Sequence, residues 1–230
     1  MTDEPLTALD LEERLRKSWQ ANAEAWTLAV RESRIPSRNA GTNQAILSVL
    51  ASLPKGRLLD LGCGEGWLAR AAMEQGWTVI GIDASAALIE RAKEISDARY
   101  FVIDYAQINA DPNLAGKFEC IVCNFSILEE EINSFLTALR NMLRPGKALI
   151  IQTVHPWAAC EEQPYRNGWR EETFQGWSGG FTEPMPWFFR TLHSWFWELA
   201  RANLEVLRFE EPVDPTSGRP LSIIMICRSG

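Results

Sequence analysis

Apolar residues recur at helical spacing near the start of the chain. Leu11, Leu15, Trp19, Ala23, Trp26 and Val30 predict one long amphipathic helix, with Thr7 and Asp10 placed to cap it and Pro36 ending or bending it. A second helix is predicted over about 42–53, where Ile46, Leu47, Val49 and Leu50 are apolar, before Pro54-Lys55-Gly56 breaks the chain. From there the pattern alternates. Short, nearly continuous apolar runs at 57–61, 77–82, 100–103, 118–123 and 148–154 predict strands, and helical patterns at 67–75, 85–94 and 132–143 lie among them. Strands apolar on both faces and separated by helices imply a parallel sheet covered on both sides. The end differs: a helix at about 191–202 precedes strands at 204–210 and 221–227. The turn-rich segment between these strands, with Pro212, Asp214-Pro215 and Gly218, makes the last strand antiparallel to its predecessor. Segment 155–187 has no clear period, and so long an irregular stretch in a small domain is expected to be a lid or binding element.

Composition narrows the classes. The 230 residues suffice for one α/β domain with a helical cap. The net charge of −7 argues against a sequence-independent grip on nucleic acid or an anionic membrane. No apolar run approaches the ~20 residues of a membrane span, and the acidic start Met1-Thr2-Asp3-Glu4 does not read as a secretory signal. Five scattered cysteines point to thiols in a reducing compartment, so a cytoplasmic location is expected. Cys120-x-x-Cys123 lies on a strand, where positions i and i+3 face opposite sides; both read as packing residues and no metal is expected.

The candidate chemistry sits in LLDLGCGEGW, residues 58–67, where the first strand turns into a helix. Alternating Gly62, Gly64 and Gly66 let the backbone turn sharply and let a ligand lie against bare peptide at a helix N-terminus. In an open α/β sheet such a ligand lies outside the carboxyl ends of the strands, at the switch point. The pattern departs from the nicotinamide fingerprint, because its third position is Trp67. Asp83 ends the second strand, 23 residues after Asp60, where a carboxylate can accept from two ribose hydroxyls. Asp104, followed by Tyr105, ends the third. Helix capping is the alternative role for Asp83 and for Asp104.

In combination these motifs resemble the class I S-adenosylmethionine-dependent methyltransferases, from about residue 40 to the end. LLDLGCGEG is similar to the family's first motif, VIGIDAS (79–85) to its second, ARYFVIDYAQI (98–108) to its third-strand region, FECIVCNFSILE (118–129) to its fourth-strand motif and LRPGKALIIQT (143–153) to the entry of its fifth strand. The resemblance implies a Rossmann-like three-layer sandwich whose seven-stranded, mostly parallel sheet runs 3-2-1-4-5-7-6 with the last strand antiparallel. It implies a methyltransferase domain over 41–230; the amphipathic pattern before it reads as an N-terminal helical cap over 1–40, and the aperiodic segment at about 155–187 as a lid inserted in the domain. It implies S-adenosylmethionine as cofactor, with S-adenosylhomocysteine as product. Gly62 and Gly64 would face the methionine part, Asp60 would orient its ammonium directly or through water, Asp83 would hold the ribose, Asp104 and Tyr105 would surround the adenine, and Cys63, Gly66 and Ala84 would complete the cofactor-binding set. Asn124 and Phe125 would line the sulfonium end, and Arg38 would reach the carboxylate.

The acceptor is less legible. His155 follows the fifth strand and is the candidate catalytic base, with a backbone-bonded loop histidine as the alternative. Twelve of the 23 aromatic residues lie in 155–197, which reads as a lid over an apolar or aromatic small molecule, or else as a sheet cover or homodimer surface. Arg166, Arg170 and Arg190 are candidates for a substrate carboxylate. Asn124-Phe125-Ser126-Ile127 lacks the Asn/Asp-Pro-Pro-aromatic motif of enzymes that methylate base amino groups. The expectation is therefore methyl transfer to a small molecule, possibly at oxygen. The alternatives are a tRNA or protein methyltransferase of the same fold and a non-catalytic cofactor-binding protein.

Overall fold

The computed structural model describes residues 6–160 and 163–229. Two helices come first, α1 (Ala8–Ala21) and α2 (Ala23–Arg31), where the periodicity predicts one. Thr7 and Asp10 form the expected capping box. The break falls at Asn22, whose side chain is buried and bonded to a distant loop rather than facing outward as a mid-helix polar residue would. A tight turn over Arg38–Thr42 leads into α3 (Asn43–Ala51).

Then come β1 (Arg57–Leu61), α4 (Trp67–Glu74), β2 (Thr78–Asp83), α5 (Ala86–Lys93), β3 (Arg99–Val102), β4 (Phe118–Asn124), α6 (Asn133–Met142) and β5 (Leu143–Val154). The chain ends with the short strands β6 (Gly168–Glu172) and β7 (Met185–Phe189), α7 (Leu192–Arg201), β8 (Leu204–Glu210) and β9 (Ser222–Ser229). The seven-stranded sheet is ordered β3-β2-β1-β4-β5-β9-β8, with β9 antiparallel to both neighbours and the pairings from β3 to β5 parallel. This is the order the resemblance implies. Strands β6 and β7, which form a separate two-stranded antiparallel ribbon inside the aperiodic segment, shift only the numbering. The ribbon escapes prediction because aromatic residues crowd both of its faces and erase the period of two.

Side chains alternate across the sheet and divide the core. Leu59, Leu61, Ile121 and Cys123 pack under α6 and α7 with Phe135, Leu139, Trp195 and Leu199. Leu58, Cys120 and Val122 pack on the other face with Ile46, Leu50, Leu68 and Ile89. Cys120 and Cys123 thus take opposite sides, and all five cysteines are unpaired. The chain runs outward from β1 to β3 and returns to β4 on the other side of β1, so a crevice opens at the carboxyl ends of β1 and β4.

A third apolar cluster lies apart. Leu15, Phe174 and Met185 pack with Trp19, Trp26, Trp177 and Phe181, joining α1 and α2 to the loop between β6 and β7. The Trp26 ring meets Phe174, Trp177 and Phe181 edge to face at 5.1–5.7 Å. Asn22 secures the joint: its Nδ2 donates to Glu183 O at 2.7 Å and its Oδ1 accepts from Thr182 N at 2.8 Å. Among the described residues no helix is long and apolar enough to cross a membrane.

Candidate functional site

The loop after β1 is built by its glycines. Gly62 has φ +70°, and a Cβ there would collide with Ser126 and the Tyr105 hydroxyl. Gly64 has φ +56° and its missing Cβ faces open space, which leaves room for a ligand against the peptide. The N–H groups of Gly62 and Cys63 both donate to Ile82 O, at 2.8 and 2.9 Å, and bind the loop to β2. Cys63 is buried among core side chains, and burial holds its thiol well above the ordinary range. Glu65, which the sequence reading passed over, is 2% exposed and clamped by Arg31 at 3.0 Å and Arg70 at 2.9 Å. Nothing in its spacing marks it; the partners come from α2 and α4.

Three acids stand at successive strand ends, as their spacing predicts. Asp60 is 1% exposed, and its Oδ2 has no partner. Burial, and then the nearby Asp83 carboxylate, push its pKa up to about 7. Asp83 accepts from Gly64 N at 2.9 Å and Ser85 N at 2.8 Å, one bond on each oxygen, and burial raises its pKa. A carboxylate oxygen has two lone pairs, so each oxygen retains one. Ala84 beside it is exposed. Asp104 caps a single turn through Ala106 N at 2.9 Å. Tyr105 lies with one ring face on Phe135, at 4.6 Å, and donates its hydroxyl to Ser126 O at 2.8 Å.

At the end of β4, Asn124 is buried with its Oδ1 unpartnered, and Phe125 takes φ +55°, a strained conformation for an aromatic residue. Ser126 donates to Leu61 O at 2.7 Å, which binds this loop to the end of β1. Gln152 on β5 donates to Thr42 O at 3.1 Å, and its Oε1 is unpartnered. Arg38 is half-buried over the Trp67 ring at 5.3 Å, with Nη1 covered and unpartnered. Desolvation lowers its pKa to about 10, opposed by the charges of Glu65 and Asp60.

His155 is brought to the right end of the sheet, but its ring is engaged. Nε2 lies 2.8 Å from Glu211 Oε1, and Nδ1 accepts from Trp157 N at 3.2 Å. The imidazole ties the end of β5 to the segment before β9 and has no lone pair free for a substrate proton. Of the three candidate arginines, Arg170 is spent on Ala159 and Pro164 carbonyls. Arg190 is 3% exposed and donates to the carbonyls of Glu129 and Glu130. A narrow cleft at the ends of β4 and β5 is lined by Ile127, Leu128, Thr153, Trp187, Phe189 and Arg190.

A family model described as a methyltransferase domain matches residues 35–208, more than half of the chain. The chain belongs to the class I S-adenosylmethionine-dependent methyltransferase family. This family member is 35% identical over 102 residues to the ubiquinone biosynthesis O-methyltransferase of Brucella anthropi, which covers 43% of this chain and about two fifths (41%) of that relative. Two solved structures share its fold. One is the DhpI-SAM-HEP complex (TM-score 0.72, 16% identity, 97% of this chain and 100% of that one). The other is the 1,6-didemethyltoxoflavin-N1-methyltransferase of Burkholderia thailandensis with bound 1,6-didemethyltoxoflavin and S-adenosylhomocysteine (TM-score 0.67, 16% identity, 99% and 93%).

Proposed function

We propose that the protein transfers the methyl group of S-adenosylmethionine to an oxygen of a small aromatic or apolar acceptor. The observation that carries the reading is the set of buried, unpaired polar atoms toward the carboxyl ends of β1, β4 and β5 and in the turn before α3. Asp60 Oδ2, Asn124 Oδ1 and Gln152 Oε1 are acceptors without donors, and Arg38 Nη1 is a donor without an acceptor. Each such atom costs about 1–3 kcal/mol unless something pairs with it. An α-amino acid head supplies both missing halves: an ammonium for the oxygens and a carboxylate for the guanidinium. The residues present therefore fit the cofactor.

In this reading Asp60 and Asn124 hold the ammonium, Arg38 the carboxylate and the free lone pairs of Asp83 the ribose. Gly62, Cys63, Gly64 and Gly66 shape the backbone cradle. Ala84, Asp104 and Tyr105 border the adenine, and Phe125 stands at the methyl end. The cofactor, when bound, supplies a methyl carbon made electrophilic by positive sulfur. The chain's own part is to align the acceptor, exclude water and take its proton. Residues 1–40 and about 155–187 act as cap and lid on the domain at 41–230, because α1, α2 and the ribbon close on one another through the Trp26 cluster. The oxygen acceptor is supported by the O-methyltransferase name of the Brucella anthropi relative.

Parallel calorimetric titrations with S-adenosylmethionine, S-adenosylhomocysteine and reduced nicotinamide dinucleotide test the reading. Micromolar binding of the first two alone is expected. Failure of both to bind would overturn it.

A further inference from the structure

Gln152 is an amide in an otherwise apolar strand. It follows Ala148 and Ile150 on the face of β5 that packs on α3 and α4, opposite Asn124 of β4 and Ile224 of β9. It is 1% exposed. Its amide nitrogen has two hydrogens and two acceptors in reach: Nε2 donates to Thr42 O at 3.1 Å and to Ser222 Oγ at 3.0 Å. A carbonyl oxygen only accepts, so Thr42 O decides which end of the amide faces it. Ser222 on β9 is fully buried as well. Purely apolar packing would serve the core better here, because Oε1 is left unpartnered and a buried acceptor without a donor is a cost to the fold. What the amide adds is its bond to Thr42 O.

That bond holds the turn that carries Arg38. Thr42 is the last residue of the Arg38–Thr42 turn. The turn also packs on the connection between β8 and β9: a Cβ on Gly41 would lie 3.7 Å from Val213 O and 4.0 Å from the Leu221 side chain. Arg38 itself has little to fix its side chain. Its Nη1 is covered and unpartnered, and its guanidinium lies over the Trp67 ring at 5.3 Å. A cation over a ring face is drawn to the face as a whole. Where the guanidinium stands along that face therefore depends on where the turn places its backbone.

We propose that Gln152 is a positioning residue for cofactor capture: it pins the Arg38–Thr42 turn to β5 and so sets the guanidinium for the carboxylate of the methionine head. The inference rests on the methyl-transfer reading above and on Arg38 as the carboxylate's partner. Because Gln152 acts through Arg38, its effect is confined to ligands that carry the carboxylate. A residue that only filled the core would affect every ligand of the crevice alike.

Calorimetric titration of the full chain tests this with two ligands, S-adenosylhomocysteine and its decarboxylated analogue, which keeps the ammonium and lacks the carboxylate. The variants are Gln152→Met, which keeps the length and loses the donor; Gln152→Asn, which keeps the amide but is one methylene short of Thr42 O; Arg38→Met; and Arg38→Met combined with Gln152→Met. Both single Gln152 variants should bind S-adenosylhomocysteine at least ~tenfold more weakly and the analogue within about twofold of wild type, the second result showing an intact fold. In the Arg38→Met background, Gln152→Met should cost less than about twofold more, because the two residues serve one contact. Three results overturn the proposal: unchanged affinity for S-adenosylhomocysteine in the Gln152 variants, equal losses for both ligands, or losses that add in the double variant. A wild type that does not prefer S-adenosylhomocysteine to the analogue removes Arg38 from the carboxylate. One that binds neither brings down the methyl-transfer reading itself, and either result takes this proposal with it.

Discussion

Asp60 shows how a single residue can be costly to the fold and useful to a ligand. Its carboxylate is buried, forms no ion pair among the described residues and titrates near 7 in the folded protein against 3.8 when unperturbed, the nearby Arg38 charge only partly offsetting burial. A raised folded-state pKa means that the folded form holds the proton more tightly than the unfolded one. Its stabilising contribution is complete below about pH 4 and is lost as pH rises through about 7. Asp60→Asn should therefore stabilise the ligand-free protein at pH 8, on the order of 2 kcal/mol, with the gain vanishing toward pH 4; urea unfolding at the two pH values measures it. The same substitution should abolish tight cofactor binding. Asp83 is the complement. Asp83→Ala should weaken S-adenosylhomocysteine binding by about 1–3 kcal/mol, because a pair of ribose hydroxyls loses its acceptor. An unchanged dissociation constant in calorimetry would remove Asp83 from the ribose site.

At the scale of elements, the crevice is closed by pieces that have no sheet of their own to pack on. The α1–α2 joint is bonded to the ribbon loop through Asn22, and α2 is bonded to the glycine loop through Arg31 and Glu65. Asn22→Ala removes the acceptor of Thr182 N and the nearer of two donors to Glu183 O, where only the Ser18 hydroxyl remains at 3.1 Å. The cost is about 1–3 kcal/mol and should fall locally. Hydrogen exchange should quicken across 174–184 and α1 while the β4 and β5 amides keep their protection; equal loss everywhere would refute a local lid. Glu65→Ala should cost a similar amount in urea unfolding, because Arg31 and Arg70 are partly exposed and recover water when the carboxylate is gone.

For the molecule as a whole, cofactor binding and folding are linked. A ligand at 100 times its dissociation constant stabilises the native state by about 2.7 kcal/mol. For a domain of this size that corresponds to a Tm rise of roughly 5–10 °C, readable by thermal shift. The linkage has a pH signature. An ammonium on Asp60 needs the carboxylate ionised, so S-adenosylhomocysteine affinity should fall as pH drops below about 7, by up to tenfold per unit. A flat affinity between pH 8 and 6 would mean that Asp60 does not carry the ammonium.

The sequence alone determined whatever depends on local chemistry and period. Continuous apolar runs between helices dictate a parallel sheet buried on both faces. Alternating glycines at a strand end dictate a bare-backbone loop, and acids at Asp60, Asp83 and Asp104 come together because parallel strands align their carboxyl ends. The tertiary structure decided everything that needs a partner far along the chain. Asn22 breaks a helix because a loop 160 residues away bonds it. Glu65 becomes a buried clamp because α2 and α4 deliver arginines to it. His155 loses its freedom to Glu211, and Arg190 is spent on the main-chain oxygens of Glu129 and Glu130. Hydrophobic period is a property of neighbouring residues, whereas the protonation and availability of a side chain depend on what folding places around it.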